Sequence, residues 1–162
     1  MSGFDERLQK AIQRGQRSRD ARLREAAEKQ MTDEEFRRLH NQYRRELSEH
    51  IERCMQQLPT HLPGFQFATV VGERGWGAVC SRDDIGAGRG GRRDNFFSRM
   101  ELVVRPYGSH HVLEITAKGT IRNKEIFQRK HYKPLEEIEL EVFVELADRW
   151  VLDYAELYSA GR

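Results

Sequence analysis

Residues 100–118 read MELVVRPYGSHHVLEITAK, and the fold turns on this stretch. Met100, Leu102 and Val104 alternate with Glu101, Val103 and Arg105. Leu113, Ile115 and Ala117 alternate with Glu114, Thr116 and Lys118. A period of two sends successive side chains to opposite faces of a strand, so each run carries one apolar and one more polar face. Between them, Pro106-Tyr107-Gly108-Ser109 supplies turn chemistry. The connection is too short for a parallel crossover, which predicts an antiparallel pair.

The same pattern extends both ways. Upstream, Phe65, Phe67, Thr69 and Val71 alternate with Gln66, Ala68 and Val70. Gly72-Glu73-Arg74-Gly75 reads as a turn, and Trp76, Ala78 and Cys80 resume the alternation. Downstream, Lys118-Gly119-Thr120 is expected to turn the chain into a strand over residues 121–127. Residues 65–132 therefore read as a four- or five-stranded antiparallel meander.

A half-buried sheet needs a cover, and two amphipathic helices are available. Thr32-Asp33-Glu34-Glu35 has the form of a capping box, which predicts a helix starting there. Phe36, Leu39, Tyr43, Leu47, Ile51, Cys54, Met55 and Leu58 then recur at helical spacing, and Pro59 and Pro63-Gly64 are expected to end the run. After Pro134, Leu135, Ile138, Val142, Phe143, Leu146, Ala147, Trp150, Val151, Tyr154, Leu157 and Tyr158 form a second stripe. Its helix begins at either Leu135 or Glu141. Trp76 and Trp150 are expected to be buried. The sum is an α+β domain over residues 32–160. Residues 1–31 precede it as a polar arm, helical or disordered, in which Phe4, Leu8 and Ile12 share one helix face.

Composition narrows the function classes. The 162 residues are 38% hydrophobic and 33% charged, with a net charge of +2. No apolar run approaches the ~20 residues of a membrane span. The first ten residues carry four charges and no apolar block, unlike a secretory signal. Two cysteines are too few for a disulfide scaffold. A cytoplasmic protein without a membrane partner is expected.

Motifs for chemistry are sparse. Gly86-Ala87-Gly88-Arg89-Gly90-Gly91 has the letters of a dinucleotide fingerprint, but no helical period follows to hold a pyrophosphate. The plainer reading is a long Gly/Arg-rich loop over residues 83–95, whose arginines suit an anion. His110 and His111 are adjacent, so on a strand they point apart and do not chelate one ion. His50 and Cys54 are spaced to share a helix face, with His61 nearby, yet the four ligands of a structural zinc are missing. Cys54 and Cys80 read as core thiols. Glu114 and Lys118 share the polar strand face and suggest a hydrolase only weakly, since cross-strand ion pairs account for such residues. No catalytic set, metal site or cofactor is expected.

Charge is unevenly spread. Residues 135–162 hold eight acids and two bases, a net −6, which leaves +8 for the rest of the chain. Residues 106–134 hold six bases and two acids, a net +4. A basic surface attracts acidic partners. The leading expectation is a non-enzymatic binding or adaptor protein whose arm engages a protein partner or a second copy. The alternative is nucleic-acid or anion binding through Arg89, Arg92 and Arg93 of the loop with Lys118, Arg122 and Lys124 of the basic strands.

Overall fold

The computed structural model describes residues 2–87 and 93–161, with the side chains of residues 2, 29–31 and 86–94 left undescribed. Its elements run α1 (Ser2–His61), β1 (Gln66–Val70), β2 (Trp76–Ala87), β3 (Arg93–Val104), β4 (Val112–Ile121), β5 (Lys124–Pro134), a 3-10 turn (Leu135–Glu137) and α2 (Leu140–Ser159). The chain is α+β, as the alternation implied. The five strands form one antiparallel sheet in sequential order, β1-β2-β3-β4-β5. By its contacts the chain divides into two units, Met1–Arg38 and Leu39–Arg162.

In the second unit the strand registers place Ala78 opposite Leu102 opposite Ala117, and Cys80 opposite Met100 opposite Gly119. These residues, with Val104, Leu113 and Ile115, make one apolar face, and nearly all are fully buried. Leu47, Ile51, Met55 and Leu58 of α1 are buried, as are Phe143, Ala147, Trp150, Val151, Tyr154 and Tyr158 of α2. Trp150 is buried as expected. Trp76 is only half-buried, with the Arg44 guanidinium 4.5 Å from its ring centroid. The strand starts there, so its first side chain lies at the sheet margin.

Two contacts seat the helices. Tyr154 donates its hydroxyl to the Thr120 carbonyl at 2.8 Å, and its ring occupies the space that a side chain at Gly119 would need. On α1, Pro59 lies inside the last turn. Lacking an N–H, it leaves the carbonyl four residues back without a helical donor. That carbonyl belongs to Met55 and accepts from the Cys80 thiol at 3.2 Å. Burial pushes the Cys80 thiol up to about 12, which keeps the donor protonated. The helix therefore survives Pro59 and ends at His61, just before Gly64 at φ +104.

Several local expectations are corrected. Thr32 caps nothing: α1 runs through it, and its hydroxyl bonds back to the Glu28 carbonyl at 2.9 Å, a competing pattern open to any helical Thr. Lys118-Gly119-Thr120 is no turn. β4 passes through it with a register shift between Gly119 and Thr120, and the turn is Arg122-Asn123. Both of those residues have positive φ, 46° and 70°, as a two-residue hairpin of type I′ requires. Asn123 ties that turn to β3, accepting from the Phe97 amide at 2.8 Å and donating to the Asn95 carbonyl at 2.9 Å. Residues 83–95 are not a long loop. Asp83 to Ala87 pair with Phe97 to Arg93, so the strands continue on both sides of residues 88–92. His110 and His111 sit in the connection between β3 and β4 rather than on a strand.

Two imidazoles, one buried and one half-buried, make stability pH-dependent. His40 is 1% exposed and packs edge-on against Tyr107, with ring centroids 5.5 Å apart. Burial lowers its pKa, and Arg44 adds to the shift. Burial also lowers the pKa of His131, which packs against Phe143. The folded state thus binds fewer protons than the unfolded chain, whose histidines titrate near 6.5. Stability from this source is full above pH 6.5 and is lost as pH falls through and below it. The urea midpoint should fall on acidification through that window, and His40→Leu should flatten the fall. Trp150→Ala should cost about 3–5 kcal/mol in the same assay as a core truncation.

Candidate functional site: the polar sheet face

The second face of the sheet takes the other half of each alternation. From the register it carries Val79, Glu101, Val103, Arg105, Glu114, Thr116, Lys118, Gln128 and Lys130. Val103 and Glu101 are buried near its centre, whereas Arg105, Lys118, Gln128 and Lys130 are exposed. Arg105, Thr116, Lys118, Gln128, Arg129 and Lys130 line a shallow cavity of about 490 Å³. Four cationic residues thus stand around one concavity, of which Arg129 is paired with Asp153 of α2.

Glu101 is the only acid so far inside this face among the described residues, at 7% exposure. Its Oε2 accepts from Arg99 Nη2 at 2.6 Å and from Arg74 Nη2. Arg105 in turn donates to the Arg74 carbonyl at 3.2 Å. A carboxylate held by two guanidiniums serves as a strut, keeping the arginines in place. Glu114 and Lys118 lie four residues apart on β4, about 13 Å along a strand.

The expected site residues are only partly gathered. Lys118 lies in the basic concavity. Lys124 opens β5 and is exposed. Arg122 is in the β4–β5 turn, and its guanidinium sits 4.9 Å from the Tyr158 ring centroid, on the helix side of the sheet. Arg93 begins β3, with its side chain undescribed, and Arg89 and Arg92 lie outside the described residues. Arg105 and Lys130 join Lys118 in the concavity. Their signal was the register: Lys130 pairs with Thr116 only because β5 is set by the turn at residues 122–123.

A second cluster lies between the helices. His50 and Cys54, one turn apart on α1, meet Asp148 of α2. His50 Nε2 is 2.7 Å from Asp148 Oδ1, the Cys54 thiol donates to the same oxygen at 3.0 Å, and Sγ lies 3.3 Å from Nε2. Cys54 is half-buried and not a core residue as expected, whereas Cys80 is fully buried. Burial, and then the Asp148 carboxylate, push the Cys54 thiol up to about 12. A thiol so raised is no nucleophile at neutral pH.

No family model, curated protein or solved structure matches this chain.

Glu101→Gln should leave the fold intact and cost about 1–2 kcal/mol in urea unfolding. It weakens charge-assisted hydrogen bonds whose arginines are partly exposed and free to rehydrate. A loss above about 4 kcal/mol would mean that Glu101 holds the core itself.

Proposed function

We propose that the chain is a non-enzymatic protein-binding module whose N-terminal helical unit pairs with that of a second copy. One observation carries this reading. Every described side chain from Gly3 to Glu28 is exposed, including Phe4 at 64%, Leu8 at 47%, Ile12 at 53% and Leu23 at 60%. Phe4, Leu8 and Ile12 follow at four-residue steps, and Leu23 comes eleven residues after Ile12. Eleven residues are three turns of a helix, so all four lie along one stripe, which Gly15 and Arg19 interrupt between Ile12 and Leu23. A helix with no tertiary packing is marginal in water, and such a stripe is stabilised by a partner helix.

The charges beside the stripe favour a second copy in parallel. Asp5 and Asp20 fall on one flank, and Arg7 and Arg14, with one acid, Glu25, on the other. Parallel pairing sets unlike flanks together, whereas antiparallel pairing sets like flanks together. Two unpaired thiols support a reducing, cytoplasmic setting. No described helix is long and apolar enough to cross a membrane.

Sedimentation equilibrium tests the proposal. The full chain should form a dimer at micromolar concentration or somewhat above, and Leu8→Asp with Ile12→Asp should return it to monomer while the unit of residues 39–162 melts as before. A wild-type monomer throughout, or a dimer that survives both substitutions, would contradict the reading.

A second reading rests on the concavity of Arg105, Lys118 and Lys130, which suits a polyanion such as nucleic acid. Each neutralised phosphate adds nearly one unit to the log–log salt slope of binding. Replacing these three residues with alanine should lower that slope by up to about three units in anisotropy titrations with RNA or DNA. An unchanged slope would remove this face from consideration and shift attention to Arg89, Arg92 and Arg93.

A further inference from the structure

We propose that His50, Cys54 and Asp148 form a binding site for a divalent transition metal of the zinc class, with its fourth position open to solvent. The donor set is an imidazole nitrogen, a sulfur and a carboxylate oxygen, all within 4.8 Å of one another. Imidazole with thiolate selects zinc and its neighbours over magnesium or calcium, which take oxygen cages. Three protein ligands and one exchangeable position is the arrangement of zinc sites that keep a bound water.

The geometry is close to what an ion requires. Bond lengths of ~2.0 Å to nitrogen and oxygen and ~2.3 Å to sulfur place tetrahedral donors about 3.3–3.6 Å apart. Here the three separations are 2.7, 3.0 and 3.3 Å. Rotamer adjustments of a few tenths of an ångström at each residue open the triangle. Two ligands come from one turn of α1 and the third from α2, so their backbones are fixed by packing: Ile51 and Met55 beside the first two, and Ala147 beside the third, are fully buried. A cavity of about 240 Å³, lined by Cys54, Gln57, Asp148, Val151 and Leu152, adjoins the cluster and provides room for the fourth ligand.

Without an ion the three groups satisfy one another by hydrogen bonds. Binding breaks the Cys54 S–H bond and forms a sulfur–metal bond, and the proton leaves to solvent. Asp148 and a neutral His50 each donate an electron pair. No oxidation state changes. The ion would also tie α1 to α2, so it should raise the melting temperature.

Cobalt(II) titration of the reduced full chain tests the site. The expected result is one equivalent bound, with d–d bands of tetrahedral intensity and a thiolate-to-cobalt charge-transfer band. Zinc should abolish both, and magnesium in large excess should not. Cys54→Ser should remove the charge-transfer band. Asp148→Asn, on the protein surface, should weaken binding at least tenfold while leaving the circular dichroism spectrum unchanged. Cys80→Ser, which keeps a donor to the Met55 carbonyl, should retain the band. A wild-type spectrum of aqueous octahedral cobalt, or a charge-transfer band that survives Cys54→Ser, would overturn the proposal.

Discussion

One face of a five-stranded sheet must leave water, and the rest of the domain follows from how that is done. Ala78, Cys80, Met100, Leu102, Val104, Leu113, Ile115 and Ala117 present a broad apolar surface that no strand of the same sheet can cover. Two helices do so, and each is fixed at a place where the sheet or helix departs from regularity. Tyr154 enters the gap at Gly119 and bonds the Thr120 carbonyl beside the register shift. Cys80 reaches the Met55 carbonyl that Pro59 leaves without a helical donor. Irregularities that would weaken isolated elements become docking points. With both helices committed to that face, the alternate residues of the same strands remain to form the basic concavity, braced by Glu101.

Packing two helices side by side on one sheet also brings side chains together that no strand presents. His50, Cys54 and Asp148 meet there because α1 and α2 each direct one residue or turn toward the other above the apolar layer. The cluster is polar, partly exposed and separate from the polar sheet face. The domain therefore offers two chemically different surfaces: cationic groups on the sheet and a compact set of metal-type donors between the helices. The N-terminal unit adds a third, an apolar stripe with asymmetric charge.

Most of the architecture was legible in alternation and helical spacing, because period-two runs such as Met100 to Val104 have few other solutions. The misreadings share a physical cause. Thr32 looked like a cap because its neighbours are acids, yet Arg- and Glu-rich sequence on both sides keeps the helix going. Gly119 looked like a turn because glycine is the usual marker, whereas its role is to admit Tyr154. The true turn, Arg122-Asn123, lacks glycine and is held by the bonds of Asn123 to β3, which no local pattern reveals. Residues 83–87 and 93–95 resemble loop in composition but are kept extended by pairing. The site was less legible still. Asp148 lies 94 residues beyond Cys54 in the chain, so its meeting with Cys54 depends on helix packing alone. Arg105 and Lys130 join Lys118 only through the strand register.

The central functional claim is that the N-terminal unit is a pairing element. Amide hydrogen exchange at two protein concentrations tests it most directly. The account predicts that amides of residues 4–28 gain protection as concentration rises, while those of β3, β4 and α2 stay equally slow at both. Protection of residues 4–28 that is independent of concentration would contradict it, since a helix that holds without a second copy has no need of one.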